Sequence, residues 1–277
     1  MNSCDASSPE MALEPYEYTF HINDQGALEV HRFIDKYPLV SISVPGKTPL
    51  CCTFSNKMYG PMLSIGYADG SVFVASDLTR KYDESCFLHS HTASVLGISY
   101  HHDENKVISV SLDGAFGIHT RRNLRDWESH FYDVTKIGLT SVLWNKDDII
   151  VGDSDGQIRY FKPGNGKKDV KFGDIPNETR YACVFQTKIH QGYVRCMALL
   201  ENSENADLVT TGDDFKIIFL KISEDKLQTV SEIKGKSFKV DQLIWDPPSQ
   251  TLNIIYCDDA DPSVWVSEED GHWKQIQ

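Results

Sequence analysis

The sequence predicts an all-β repeat fold, a ring of about six four-stranded sheets. Three observations predict it: helical periodicity is nearly absent, short alternating apolar runs recur, and an acidic turn returns at a blade-like interval. The turn acids are Asp69, Asp113, Asp155, Asp214 and Asp259, separated by about 42 to 59 residues. Upstream of each comes a pair of apolar anchors: Pro49 with Phe54, Val95 with Tyr100, Leu139 with Trp144, Val194 with Leu199, and Val240 with Trp245. Downstream comes another alternating strand, marked by Val72 and Val74, Phe116 and Ile118, Ile158 and Tyr160, Ile217 and Phe219, and Val264 and Trp265. Two independent features in one register make each repeat a β-meander, and a ring of such meanders is a β-propeller.

Taken in order, residues 1–14 are expected to be a disordered tail and residues 15–277 a single propeller domain. Residues 15–37 hold two strand-like runs, 16–22 and 28–34, around a turn at 23–26, which makes half a blade. Repeats follow near 38–90, 91–132, 133–189, 190–235 and 236–277. The last repeat ends with a strand at 262–266, a turn at 268–271 and a strand at 272–276, leaving nothing over to complete the first blade. Either the termini pair with each other or the ring is open. An open sheet edge invites strand addition, so the incomplete blade is a candidate docking place, with Tyr16, Tyr18, Phe20, Trp265 and Trp273 as its partner-binding aromatics.

The 277 residues are 40% apolar and 24% charged, which suits a globular protein with a real core. Forty acidic against 27 basic side chains give a net charge of −13, which repels phosphate backbones and excludes direct nucleic-acid binding. The basic pairs Arg121-Arg122 and Lys167-Lys168 sit beside expected turns and read as solvated loops. No run approaches a membrane span or a secretory leader, so membrane insertion is not expected and the cytoplasm or nucleus is. Seven cysteines (Cys4, Cys51, Cys52, Cys86, Cys183, Cys196, Cys257) lack CxxC spacing and read as reduced core thiols. The sequon at 177–179 then has no functional meaning.

The repeat resembles the WD-repeat family, in which a His ahead of each blade meets the turn Asp. His91 and His190 stand where that His is expected, ahead of Asp113 and Asp214. The resemblance implies that each pair is buried, satisfied and structural. The position that names the family is Trp only at Trp265, and is Ala75, His119, Phe161 and Leu220 elsewhere. Within that family, four stretches in collinear order resemble the propeller subunit shared by the COPII outer coat and the nuclear-pore Y-complex. They are Asn56-Lys57-Met58-Tyr59-Gly60-Pro61-Met62-Leu63, Lys136-Ile137-Gly138-Leu139-Thr140-Ser141-Val142-Leu143-Trp144, His190-Gln191-Gly192-Tyr193-Val194-Arg195 and Asp270-Gly271-His272-Trp273-Lys274. This closer resemblance implies an open six-bladed propeller, completed by a blade from an α-solenoid partner, that does no chemistry in a vesicle coat or nuclear pore.

Candidate chemistry is sparse. His89, His91, His101 and His102 cluster in sequence, but no Cys or carboxylate completes a zinc spacing. The acid pairs Asp147-Asp148, Asp213-Asp214 and Asp258-Asp259 fall at turns, where Asp bonds its own backbone. No dinucleotide, P-loop or nucleophile-elbow motif is present. No catalytic residue, cofactor or metal is therefore assigned. Residues 163–187 exceed an ordinary blade connection and read as surface decoration or a partner contact.

The expected function is a non-catalytic scaffold for protein partners. Two alternatives remain open. One is a hydrolase: Trp127 to His130, with Trp144 and the 153–156 turn, has a passing similarity to diphthine methylesterase of the diphthamide pathway. The other is a peptide-reading adaptor of a ubiquitin-ligase, checkpoint or chromatin complex.

Overall fold

The computed structural model describes residues 18–32, 38, 40–55, 62–76, 85–88, 91–102, 106–123, 126–164, 180–234, 240–256, 262–268 and 272–276. These residues form antiparallel sheets that make a six-bladed β-propeller. The first sheet has three strands, β1 (Tyr18–Ile22), β2 (Leu28–Arg32) and β3 (Val40–Ile42). The second holds β4 (Pro49–Ser55), β5 (Met62–Tyr67), β6 (Val72–Ser76) and β7 (Cys86–Leu88). The third holds β8 (Val95–Tyr100), β9 (Lys106–Ser111), β10 (Ala115–Arg121) and β11 (Trp127–Asp133). The fourth runs β12 (Leu139–Asn145), β13 (Asp148–Asp153), β14 (Gln157–Gly164) and β15 (Arg180–Lys188). The fifth runs β16 (Val194–Leu199), β17 (Leu208–Gly212), β18 (Lys216–Ile222) and β19 (Leu227–Lys234). The sixth runs β20 (Val240–Asp246), β21 (Thr251–Tyr256), β22 (Ser263–Ser267) and β23 (Trp273–Gln275).

Each sheet is a simple meander because tight turns join strands of alternating polarity. The turn glycines show why the sequence commits to these corners. Gly70, Gly114 and Gly156 have φ of +89°, +84° and +83°, and a Cβ on Gly114 would lie 2.0 Å from Thr135 O. The left-handed backbone and the close approach of the next blade's entry segment both demand glycine.

The core lies in the seams between sheets. Leu28, Val30 and Ile42 of the first sheet pack on Phe54, Leu63 and Tyr67 of the second. Val72, Val74 and Leu88 then meet Val95 and Val107, and Phe116 and Ile118 meet Val142 and Trp144. Ile150 and Tyr160 meet Val194 and Leu208, and Phe219 meets Trp245 and Trp273. These are five apolar seams. Among the described residues, no such cluster joins the sixth sheet to the first.

The first sheet differs from the division expected from the sequence. Val40–Ile42, placed there in the following repeat, pairs with β2 as a third strand. The alternation of Val40, Ser41 and Ile42 is too short to register as a strand by pattern, yet it sets both aliphatics on the face shared with Leu28 and Val30. Register identifies which strand is lacking. Leu28 follows the left-handed Gly26 and pairs with Ile42, as Val72 follows Gly70 and pairs with Leu88. In sequence six residues separate β3 from β4, and six separate β7 from β8. Strands β1, β2 and β3 thus match the second, third and fourth strands of the other sheets. Among the described residues, the innermost strand of the first sheet has no occupant.

Candidate functional site

Among the described residues, a connected polar network starts at the turns. Asp113 Oδ2 accepts from Thr92 N at 2.9 Å and faces His91 Nδ1 at 3.1 Å, while Oδ1 accepts from Ala115 N at 3.0 Å. The chain continues inward. His91 Nε2 is 2.8 Å from Ser109 Oγ, Ser109 Oγ is 2.9 Å from His119 Nε2, and His119 Nδ1 is 2.8 Å from Ser129 Oγ. One proton assignment satisfies every link with both rings neutral: His91 donates to Asp113, Ser109 to His91, His119 to Ser109, and Ser129 to His119. In this assignment the His119 Nε2–H supplies the donation into Ser109. The sequence carried that signal, since a ring donor at position 119 was visible, but Ser109 and Ser129 were found only by the fold.

A shorter version repeats two blades on. His190 Nδ1 lies 2.9 Å from Asp214 Oδ1, His190 Nε2 lies 2.9 Å from Thr210 Oγ1, and Gln191 N donates to Asp214 Oδ2 at 3.0 Å. Leu220 ends this chain because it has no donor. Burial lowers the pKa of both His91 and His190, opposed by the facing carboxylates. Burial pushes Asp113 and Asp214 up, but backbone N–H donors and the histidines outweigh it and hold both below the usual range.

The remaining turn acids behave differently. Asp69 bonds Lys47 and Ser71, and its pKa falls to about 2, with Lys47 the largest cause. Asp155 is exposed, and the bonding in its blade belongs to Asp153 instead. Fully buried, Asp153 accepts from Asp155 N and Gln157 N, both at 2.9 Å, and pairs with the buried Arg159. The repeat position and the buried acid are two residues apart there. Asp259 lies outside the described residues.

The expected aromatic edge is mostly not an edge. Trp273 is 8% exposed and stacks on Phe219 at 4.1 Å, and Trp265 packs on the same cluster, so both consolidate the seam between the fifth and sixth sheets. Phe20 turns towards the second sheet and packs there. Tyr16 lies outside the described residues. Tyr18 opens β1, and its side chain is not among those described.

What β1 does present is backbone. Phe20, His21 and Ile22 line the central cavity together with residues of the inner strands β4, β8, β12, β16 and β20. Gln242 of β20 donates through Nε2 to Phe20 O, bridging the seam that lacks an apolar cluster. The face of the first sheet on that side carries Thr19, His21, Glu29, His31 and Ser41, none fully buried. Glu29 and His31 hold the register positions that Phe73 and Ala75 hold in the second sheet, where both are core. Five seams are apolar, and the matching face of the first sheet is polar.

The sequence clusters disperse in space. His91 belongs to the turn network, while His101 pairs with Asp147 at 3.2 Å and meets Trp144 edge-on; His89 lies outside the described residues. Asp148 accepts from Tyr160 at 2.8 Å, and Asp213 pairs with Arg195 at 2.6 Å, so neither acid pair shares one site. Trp127 and Trp144 fall in different seams. Cys183 is exposed, a departure from the expected core thiols, whereas burial pushes Cys51 up to about 12. Of residues 163–187, the ends belong to β14 and β15, and 165–179 lie outside the described residues.

No family model matches this chain, and no curated protein matches it. Among solved structures, 1421 chains resemble it, too many for the fold alone to select a function. One of them comes from the "Crystal Structure of Mitotic Checkpoint Complex", with 14% identity, a TM-score of 0.66, and coverage of 100% of this chain and 86% of that one. At that identity the likeness establishes the propeller fold.

Proposed function

We propose that this chain is a non-catalytic WD-repeat scaffold that holds protein partners, and that a partner strand docks on the inner edge of the first sheet. The observation that carries the reading is the seam between the sixth and first sheets. There, among the described residues, an unoccupied inner-strand position coincides with a polar face where the other seams are apolar. An added strand would pair with β1 through backbone bonds, the physics of strand addition at an exposed edge. His91 and His190 are buried and bonded to the partly buried Asp113 and Asp214, which supports a structural role for the residues best suited to acid–base work. The finer reading, a subunit of a vesicle coat or nuclear pore in the cytoplasm or nucleus with an α-solenoid partner, rests on the short collinear resemblances.

The test is purification of the tagged chain from its native cell at native salt, with mass spectrometry. A large partner in near-stoichiometric amount is expected, and a clean monomer overturns the scaffold reading. Phe20 O accepts from the side away from β2, so the backbone of Ile22, two residues on, faces the same inner edge. Ile22→Pro removes a donor there at a side chain that is 45% exposed. It should release the partner while leaving the fold intact, and undiminished recovery would move the interface elsewhere.

A further inference from the structure

We propose that His21, Glu29 and His31 form a zinc site on the polar face of the first sheet, with its fourth position open towards the seam. His21 is the cross-strand partner of Glu29, and His31 follows Glu29 by two residues, so one hairpin places all three side chains on one face. His21 Nε2 lies 3.1 Å and His31 Nε2 3.4 Å from the same carboxylate oxygen, Glu29 Oε2, and the three candidate ligand atoms fall within 4.8 Å of one another. For zinc–donor bonds of about 2.0–2.1 Å, two ligands at the tetrahedral angle stand about 3.3–3.4 Å apart. The two His–Glu separations, 3.1 and 3.4 Å, lie close to that spacing. Two imidazoles and one carboxylate leaving a position free is also a known protein ligand set for zinc.

The support behind the ligands is built as well. Asn23 Nδ2 donates to Glu29 Oε1 at 2.7 Å and leaves Oε2 to face the histidines. Asn23 is itself pinned, since its Oδ1 accepts from Gln25 N and Ala27 N, both at 3.0 Å. Such outer partners fix the orientation of a metal-ligating group. His31 Nε2 is buried and makes no hydrogen bond of acceptable geometry, although it points at a carboxylate oxygen. An ion between them would satisfy it. The site uses residues of this chain alone, so it stands or falls independently of the partner strand.

The test is titration of metal-free full-length protein with zinc by calorimetry, and with cobalt by visible absorption, which reports the ligand geometry. One ion per chain is expected, with a cobalt spectrum of four- or five-coordinate nitrogen and oxygen ligation. Zinc should also raise the melting temperature. The double variant His21→Ala/His31→Ala and the conservative Glu29→Gln should each weaken binding at least about 100-fold, and Asn23→Ala about 10- to 100-fold. Denaturant midpoints measured in chelator separate a lost site from a lost fold. His102→Ala, in the other His–carboxylate cluster with His101 and Asp147, should change nothing. Absence of saturable binding in the wild type, full binding in Glu29→Gln, or loss of binding in His102→Ala each overturns the proposal.

Discussion

Asp113→Ala removes the acceptor of four donors at once, the His91 ring, Thr92 N and Oγ1, and Ala115 N, and the structure says which loss dominates. Thr92 is exposed, so its N–H regains a water, whereas the His91 ring has no side-chain exposure and its Nδ1–H would be stranded. A buried donor left unsatisfied costs about 1–3 kcal/mol, and a bond to a charged group is at the upper end of that range. With Ala115 N also losing its acceptor, the total should be about 2–3 kcal/mol. For a chain of this size that lowers the melting temperature by roughly 5–10 °C. Asp155→Ala is the matched control, because it alters the same repeat position where the side chain is exposed, and it should stay within about 0.5 kcal/mol. Both variants are read by calorimetry and by urea unfolding at one pH. A shift under 1 °C for Asp113→Ala, or an equal shift for Asp155→Ala, would refute the idea that the turn networks pin the blades.

Acid should weaken the fold in a definite window. His91 and His190 have pKa values lowered by burial, so below about 6.5 the unfolded chain takes up protons that the folded one refuses. Stability is complete above that pH and falls as the pH drops, by at most about 1.4 kcal/mol per unit for each ring. Urea midpoints at pH 7.5, 6.5 and 5.5 check this, and a midpoint that is flat or rises on acidification contradicts it. Trp273→Ala should cost about 3–5 kcal/mol, since it opens a cavity beside Phe219 and Trp245; wild-type melting would place Trp273 outside the core. Gly114→Ala should cost more than the roughly 1–2 kcal/mol of a left-handed residue, because its Cβ would collide with Thr135 O. Phe215 occupies the equivalent turn position at φ 59° and is 39% exposed, so Phe215→Gly should leave stability unchanged or raise it by up to about 1 kcal/mol. A clear loss in that variant would mean that the ring makes contacts worth more than its backbone strain.

The sequence by itself determined the architecture, because the devices that make a blade are local. Alternation within a strand, an acid and a glycine at the corner, and apolar anchors at fixed offsets all act within a few residues of one another, so Val95, Asp113 and Phe116 announce their blade. The pairing of His91 with Asp113, implied by the family resemblance, also lies within one repeat. The tertiary structure alone decided the rest. That Trp273 stacks on Phe219, that Phe20 turns to the second sheet, and that Val40–Ile42 closes the first one depend on which sheet lies beside which. Asp153 and Asp155 look alike in sequence, and only burial beside Arg159 separates the structural acid from the solvated one. The face bearing His21, Glu29 and His31 was hidden because its ligands lie on two strands, and no spacing rule encodes a cross-strand neighbour.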